Sequence, residues 1–386
     1  MRKPPYEIAL VMDKVRTLTR GIIHGVYDYA NEERSARRRP WRVRVISPES
    51  EAIDQLEQVQ FHGVIAFLYR TELLNRVRKL GRPVVNVSRV FEDTGFLHVG
   101  VDNHAVGRLA AEHLLERGFT RFAFCGRNPN VAFARAREDG FRGRLQEAGH
   151  DCFVWPPADI QVGANSTAHR TQWLKTLPKP VAIMAVYDDM ALLLSEACRE
   201  LGLHVPDEVA LVGVDDDDLL TRIAYPALSS VRLPLRKIGT EAARQLDRQI
   251  SGRKPPVKPV LLPPLGVSVR ASSDTVKVSN EHVNKALAVI HRDEGKSITV
   301  EDLLKKVPVS RSWLERQFKA VLGRTPYAEI QRVRIERARR LLAHSDMPLH
   351  QIAKVCGFGG PIRFSHTFSR ETGEPPSAYR RRFRES

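Results

Sequence analysis

The sequence predicts two α/β lobes, each built on a parallel sheet, followed by an all-helical region with two helix-turn-helix units. Three observations predict this. Short β-branched runs alternate with amphipathic stretches, twice over, through about residue 270. The alternation stops after a proline-rich stretch, and the last hundred residues then repeat themselves at an offset of 50.

In the first lobe the expected strands are Ile8 to Met12, Val43 to Ile46, Val64 to Phe67 and Val84 to Val87, with a helix from Arg20 to Glu33 after the first. The pattern restarts after Asp102. A helix from His104 to Arg117 precedes Arg121 to Cys125, and another runs from Arg135 to Ala148. The apolar runs Val181–Val186 and Val209–Val214 flank a helix from Met190 to Leu201. Continuous β-branched runs separated by helices mark parallel strands buried on both faces. Ligands in such sheets sit beyond the carboxyl ends of the strands.

That rule selects candidate residues. Asp13, Asp188 and Asp215 each follow a strand, and a carboxylate there can accept hydrogen bonds from vicinal hydroxyls. Arg137, placed at the start of its helix, offers a planar fork to ring and hydroxyl oxygens, and Phe133 offers a face to a sugar ring. Each has a plainer reading: an Asp after a strand also serves as a helix N-cap, and a lone Phe as core. The run Asp215 to Asp218 reads as a solvated loop plus cap rather than a cation site, because consecutive side chains diverge and no His joins them.

Composition narrows the class. Of 386 residues, 42% are hydrophobic and 27% charged, which fits a folded rather than a disordered chain. Lys and Arg number 61 against 45 Asp and Glu, a net charge of +16. From Val276 onward there are 22 basic against 12 acidic residues, so a polyanionic partner is expected there. No apolar run reaches membrane-spanning length and no secretory h-region opens the chain. Cys125, Cys152, Cys198 and Cys356 lie far apart, as expected of reduced thiols in a cytoplasmic protein with no metal site. Dinucleotide-fold glycines, a P-loop, G-x-S-x-G and H-E-x-x-H are absent, so no enzyme activity and no cofactor are expected.

The segments Ala185–Ala191, Glu200–Val209 and Val212–Asp216, with Val101–Asn103, Arg137–Phe141 and Leu228–Pro234, resemble the LacI-type effector-binding domain, which is periplasmic-binding-protein-like. The resemblance implies a small effector, commonly a sugar, held between two lobes by Arg137, Asp188 and Asp215, with Phe133 and Asp13 beside them. Tyr187 departs from it, standing where the family often has Asn. The DNA-reading head that this family carries before its first strand finds no counterpart here, so DNA contact is expected at the other end.

There the repeat pairs Phe318 with Phe368, Gly323 with Gly373, Pro326 with Pro376, Ala328 with Ala378 and Leu314 with Phe364. Thr299 and Asp302 are placed as a reciprocal cap, Ser310 as the next N-cap, and Gly323 as a helix stop. A helix from Pro326 to Ala343 joins the units, with Ile330, Val333, Ala338 and Leu341 inward. The outward faces carry Arg311, Ser312, Glu315, Arg316 and Lys319 on one unit and Ile362, Arg363, His366, Ser369 and Arg370 on the other. Arg and His suit guanine edges or phosphates, and Glu suits cytosine. Arg380 to Arg384 read as a phosphate clamp.

Ile352-Ala353-x-x-x-Gly357-Phe358, Phe364-x-x-x-Phe368, Gly373-x-x-Pro376 and Tyr379-Arg380 resemble the AraC-family DNA-binding domain. That resemblance implies two recognition helices in successive major-groove segments. The expected organisation is an effector domain over 1–271, a linker over 272–280 and a DNA-binding domain over 281–386. The expected partners are double-stranded operator DNA, a sugar with D-xylose favoured, RNA polymerase and a second copy of the chain, with no membrane. A sugar-modifying enzyme fused to DNA-binding helices, and a transport-type binding protein, are the competing classes. Missing catalytic motifs weigh against the first, and the basic C-terminal third against the second.

Overall fold

The computed structural model describes residues 4–35, 40–48, 54–126, 130–155, 167–274, 281–292, 298–322, 324–345 and 347–384. The chain forms two compact units, Met1–Thr275 and Val276–Ser386.

In the first unit β1 (Tyr6–Val11), α1 (Thr17–Ser35), β2 (Trp41–Ile46), α2 (Gln55–Gln58), β3 (Gly63–Ala66), α3 (Thr71–Lys79), β4 (Val84–Asn86) and β5 (Leu97–Val101) make one lobe. The other contains α4 (Asn103–Leu115), β6 (Phe122–Cys125), α5 (Ala132–Glu147), β7 (Cys152–Trp155), α6 (Thr167–Thr176), β8 (Val181–Ala185), α7 (Asp188–Glu200), β9 (Val209–Val214), α8 (Leu220–Ile223) and β10 (Ser229–Arg232). The chain then returns through α9 (Leu235–Ile250) and β11 (Val260–Leu262) to the first lobe, and through β12 (Gly266–Ser268) to the second. The strand orders are β11-β5-β4-β3-β1-β2 and β12-β10-β9-β8-β6-β7. These are one topology twice over, parallel throughout except for β12, which runs antiparallel to β10.

Each lobe seats its helices by a close pair of glycines. A Cβ on Gly25 of α1 would stand 1.9 Å from the Arg236 carbonyl oxygen of α9, and one on Gly239 would stand 2.0 Å from that of Ile22. In the other lobe a Cβ on Gly107 of α4 would meet the Arg137 carbonyl oxygen at 2.0 Å, and one on Gly140 of α5 that of His104 at 2.0 Å. Backbone-to-backbone contact of this kind leaves no room for any side chain.

The stretch expected as a linker begins inside the first unit. Ser272 and Ser273 are fully buried. Ser272 Oγ donates to the Leu211 carbonyl at 2.7 Å, Ser273 Oγ donates to Ser229 Oγ at 2.7 Å and meets His113 Nε2 at 2.7 Å, and Arg117 Nε donates to the Ser273 carbonyl at 2.8 Å. Four serine and histidine groups share hydrogen bonds in this buried corner, which the sequence placed at the start of a linker. Residues 275–280 lie outside the described residues.

The second unit holds α10 (Glu281–Arg292), α11 (Val300–Lys306), α12 (Arg311–Leu322), α13 (Pro326–His344), α14 (Leu349–Val355), α15 (Pro361–Thr372) and α16 (Pro376–Arg384). Thr299 and Asp302 cap α11 reciprocally, and Ser310 Oγ accepts from the Trp313 amide at 3.3 Å. One core gathers Leu303, Leu314, Phe318 and Ile330, a second Ile335, Ile352, Phe364 and Phe368, and α13 spans both. On α13 the buried face is Ile330, Ile335, Ala338 and Leu342, whereas Val333 and Leu341 are only half-buried. Gly323 lies outside the described residues.

Gly239→Ala is expected to lower the unfolding free energy by about 1–3 kcal/mol through overpacking. Gly143→Ala, on the same type of helix but with open space around it, is expected to raise it by roughly 0.5–1 kcal/mol. Urea denaturation of both variants checks the contrast.

Candidate functional site

The lobes enclose a cavity of about 850 Å³ at the carboxyl ends of their strands, lined among others by Phe67, Tyr69, Phe133, Arg137, Asp188 and Asp215. Its wall is built around a buried cation. Arg137 sits in the second turn of α5, not at its start, because the helix already begins at Ala132. It is only 4% exposed. Its Nε donates to Asn103 Oδ1 at 2.9 Å and its Nη1 to the Val186 carbonyl at 2.5 Å, while Nη2 stands 3.8 Å from Asp215 Oδ1. The guanidinium carbon lies 5.1 Å from the centre of the Phe133 ring, within cation–π range. Burial lowers the guanidinium's pKa and the carboxylates of Asp215 and Asp188 pull it back.

Asp215 follows β9 in a left-handed conformation, φ 108°. Its Oδ1 has no hydrogen-bond partner among the described residues, and the gap to Arg137 Nη2 is too long for one. Burial pushes its carboxyl up to about 6, against the pull of Arg137 and with help from Asp189 and Asp217. Asp188, at the start of α7, is used differently. Its Oδ1 accepts from Ser230 Oγ at 2.6 Å and its Oδ2 from the Asp217 amide at 2.8 Å. Burial and the neighbouring Asp215 carboxylate raise it well above the usual carboxylate range. Gly213 is what admits it: a Cβ there would stand 2.1 Å from Asp188 Oδ1.

The remaining acids of the run are held by neighbouring groups, and Asp217 also lines the cavity. Asp216 accepts from Ser268 Oγ at 2.8 Å and lies 2.8 Å from Arg270 Nη1. Asp217 Oδ1 accepts from the Leu219 and Leu220 amides at 3.0 Å, and Asp218 pairs with Arg222 at 2.8 Å on the surface. Asp188, Ser230, Asp216, Arg270, Ser229 and Ser273 thereby form one unbroken polar chain from the cavity to the end of the first unit.

Asp13 departs from expectation. Its Oδ1 accepts from the Val15 and Arg16 amides, both at 3.0 Å, and from Thr19 Oγ1 at 3.1 Å, so it shapes the entry to α1 and is not in the cavity wall. All three donors use Oδ1, the oxygen that fixes this turn, while Oδ2 lies 3.9 Å from Arg16 Nε. Sequence reasoning passed over Asn103, which orients Arg137, and the aromatics Phe67 and Tyr69, which line the cavity from the other lobe. The last two follow a strand, so the rule that found Asp13 marked them as well. Arg170, buried in the same wall, carries no such signal.

In the second unit Arg311, Ser312, Arg316 and Lys319 of α12 and Arg363, His366 and Arg370 of α15 are exposed, with Glu315 and Ser369 partly so. Arg311 is shared by Glu301 at 2.9 Å and Glu315 at 3.1 Å, and Arg370 pairs with Glu371 at 2.9 Å. Exposed pairs of this kind are weak enough to exchange for phosphate or a base edge. The expected clamp at the C-terminus is curtailed: Arg380 is half-buried and donates to the Met347 carbonyl at 2.5 Å, tying α16 down. The side chains beyond Arg381 lie outside the described residues.

Residues 111–273 match the periplasmic binding protein-like domain and residues 303–382 a helix-turn-helix domain. The xylose operon regulatory protein of Haemophilus influenzae is 28% identical over 390 residues, 98% of this chain and 99% of that one. Its namesake from Escherichia coli K12 is 29% identical over 386 residues, 97% of each. Along its whole length this chain is similar to the xylose operon regulatory proteins. The solved structure of the xylose-binding transcription activator xylR covers 98% of this chain and 99% of that one, with a TM-score of 0.74 and 26% identity. Both halves of the architecture, the two-lobed α/β unit and the double helix-turn-helix, are therefore shared with transcription regulators. No helix among the described residues is long and apolar enough to cross a membrane.

If a ligand hydroxyl donates to ionised Asp215, affinity follows that carboxyl's titration. Below about 6 the group holds a proton that binding must displace. Affinity is then expected to fall by up to about tenfold per pH unit on the acid side and to level off above neutrality. Calorimetric titration from pH 5 to 8 checks this. Asp215→Asn should flatten the profile, and an unchanged slope would assign the titration to Asp188.

Proposed function

We propose that this chain is a sugar-responsive transcription activator that binds D-xylose between its lobes and operator DNA through both helix-turn-helix units. The observation that carries the sugar reading is the open pairing of Arg137 and Asp215 beside the Phe133 ring. A hydroxyl set between them donates to the carboxylate and accepts from the guanidinium, and the ring covers the apolar face of a pyranose. The choice of xylose, and of activation over repression, rests on the names of the similar proteins.

In this reading the closed arrangement of the lobes has the higher affinity for sugar, so binding shifts the population toward it. The polar chain from Asp188 to Ser273 gives the shift a physical route to the segment that leads into the DNA-binding unit. The protein works as a homodimer, RNA polymerase is its partner at the promoter, and it catalyses no reaction.

A thermal-unfolding screen of the full chain against common sugars tests the effector. D-xylose at a hundredfold excess over Kd should add about 2.7 kcal/mol of stability. A response to a different sugar alone would remove xylose and keep the regulator, and no response to any sugar would remove the effector reading. On the DNA side Arg316→Ala is expected to weaken operator binding by roughly 1–3 kcal/mol if it reads a base. An equal loss on unrelated sequences would make it a phosphate contact.

A further inference from the structure

We propose that Ile362, on the first turn of α15, is a base-reading residue that packs against the C5 methyl group of a thymine in the major groove. The inference rests on the DNA-binding reading above and adds an apolar contact to a face otherwise assigned to charged side chains.

Among the described residues of the second unit, two large hydrophobic side chains are exposed, Tyr327 at 50% and Ile362 at 80%. Arg363, the neighbour of Ile362 in the chain, donates from Nη2 to the Tyr327 hydroxyl at 3.4 Å. Helical geometry fixes the direction of Ile362. Phe364 and Phe368 are buried, and a residue two positions before Phe364 lies about 200° round the helix from it. Ile362 therefore points directly away from the core, with His366 one turn later on the same side.

A single exposed aliphatic residue is ordinary on a protein surface. The surroundings of this one are not. Arg363, His366 and Arg370 are exposed around it, a positive face suited to a phosphate-lined groove. The first turn of the second helix of a helix-turn-helix is the part that reaches base edges. Gly359, Gly360 and Pro361 precede it, and Gly360 at φ 152° brings the chain sharply into the helix; Arg363 reaches back beside them, its Nη1 3.9 Å from where a Cβ on Gly359 would stand. The thymine methyl is the one apolar mark on the major-groove edges of the four base pairs. Ile362 and that methyl are complementary where Arg and His are not.

The test uses the full chain with sugar and a library of duplexes randomised over a single site. The unmodified protein should select a thymine at one position that Ile362→Ala does not select. Replacing that thymine by deoxyuridine, which removes only the methyl group, should weaken the unmodified protein by about fourfold. The same replacement should leave Ile362→Ala unaffected. An Ile362→Ala protein that keeps every base preference, or a deoxyuridine effect equal in both proteins, would overturn the inference while leaving the DNA-binding reading intact. If the unmodified protein selects no sequence at all, the DNA-binding reading falls and takes this inference with it. Ile362 is exposed, so matched thermal unfolding of the two proteins is expected, and it separates recognition from folding.

Discussion

The α/β unit depends on a buried guanidinium. Taking Arg137 out of water costs several kcal/mol unless its donors are met, and the fold meets them with three different elements. Asn103 comes from the start of α4, the Val186 carbonyl from the end of β8, and Asp215 from the end of β9. Two of these contacts are complete hydrogen bonds. The third is held 3.8 Å away, which leaves attraction without a bond and makes this the point of the wall where a hydroxyl gains most. Glycines at 107 and 140 permit the α4–α5 contact that puts Arg137 there, and Gly213 permits Asp188 to stand behind it. Recognition in this account is a by-product of satisfying a charge the fold has buried.

The neighbouring acids divide the remaining work. Asp188 spends its oxygens on Ser230 and on the Asp217 amide, so it holds the loop that presents Asp215. From there hydrogen bonds and an ion pair run through Ser230, the Asp216 amide and carboxylate, Arg270 and Ser229 to Ser273, which is pinned from the other side by His113 and Arg117. Burial keeps His113 neutral by lowering it to about 3, so it can exchange a hydrogen bond with a serine without bringing a charge into the corner.

Much of this was legible in the sequence, for definable reasons. Val181–Val186 and Val209–Val214 announce themselves because a strand buried on both faces has no polar residue to interrupt it. Leu97–Val101 does not, because His98 and Gly100 break the apolar run. Those two share one face, and the glycine exists because the His98 ring lies over it: a Cβ there would stand 2.5 Å from Nε2. The three-residue edges Val260–Leu262 and Gly266–Ser268 sit among prolines and owe their existence to pairing with distant strands. Asp13 and Asp215 each follow a strand within two residues and differ in fate. Backbone amides two and three residues away capture the first, whereas the left-handed turn at Asp215 aims the second at Arg137. No periodicity in the sequence distinguishes them. The helix-turn-helix repeat was easier, since Phe318, Phe368 and their partners mark two cores by spacing alone.

The most direct test of the account is a crystal structure of the full chain with D-xylose bound. The account predicts the sugar beside the Phe133 ring, with one hydroxyl bridging Arg137 Nη2 and the Asp215 carboxylate. Sugar found elsewhere, for instance in the open groove of about 980 Å³ between α1 and α9, with the Arg137–Asp215 gap unbridged, would contradict it.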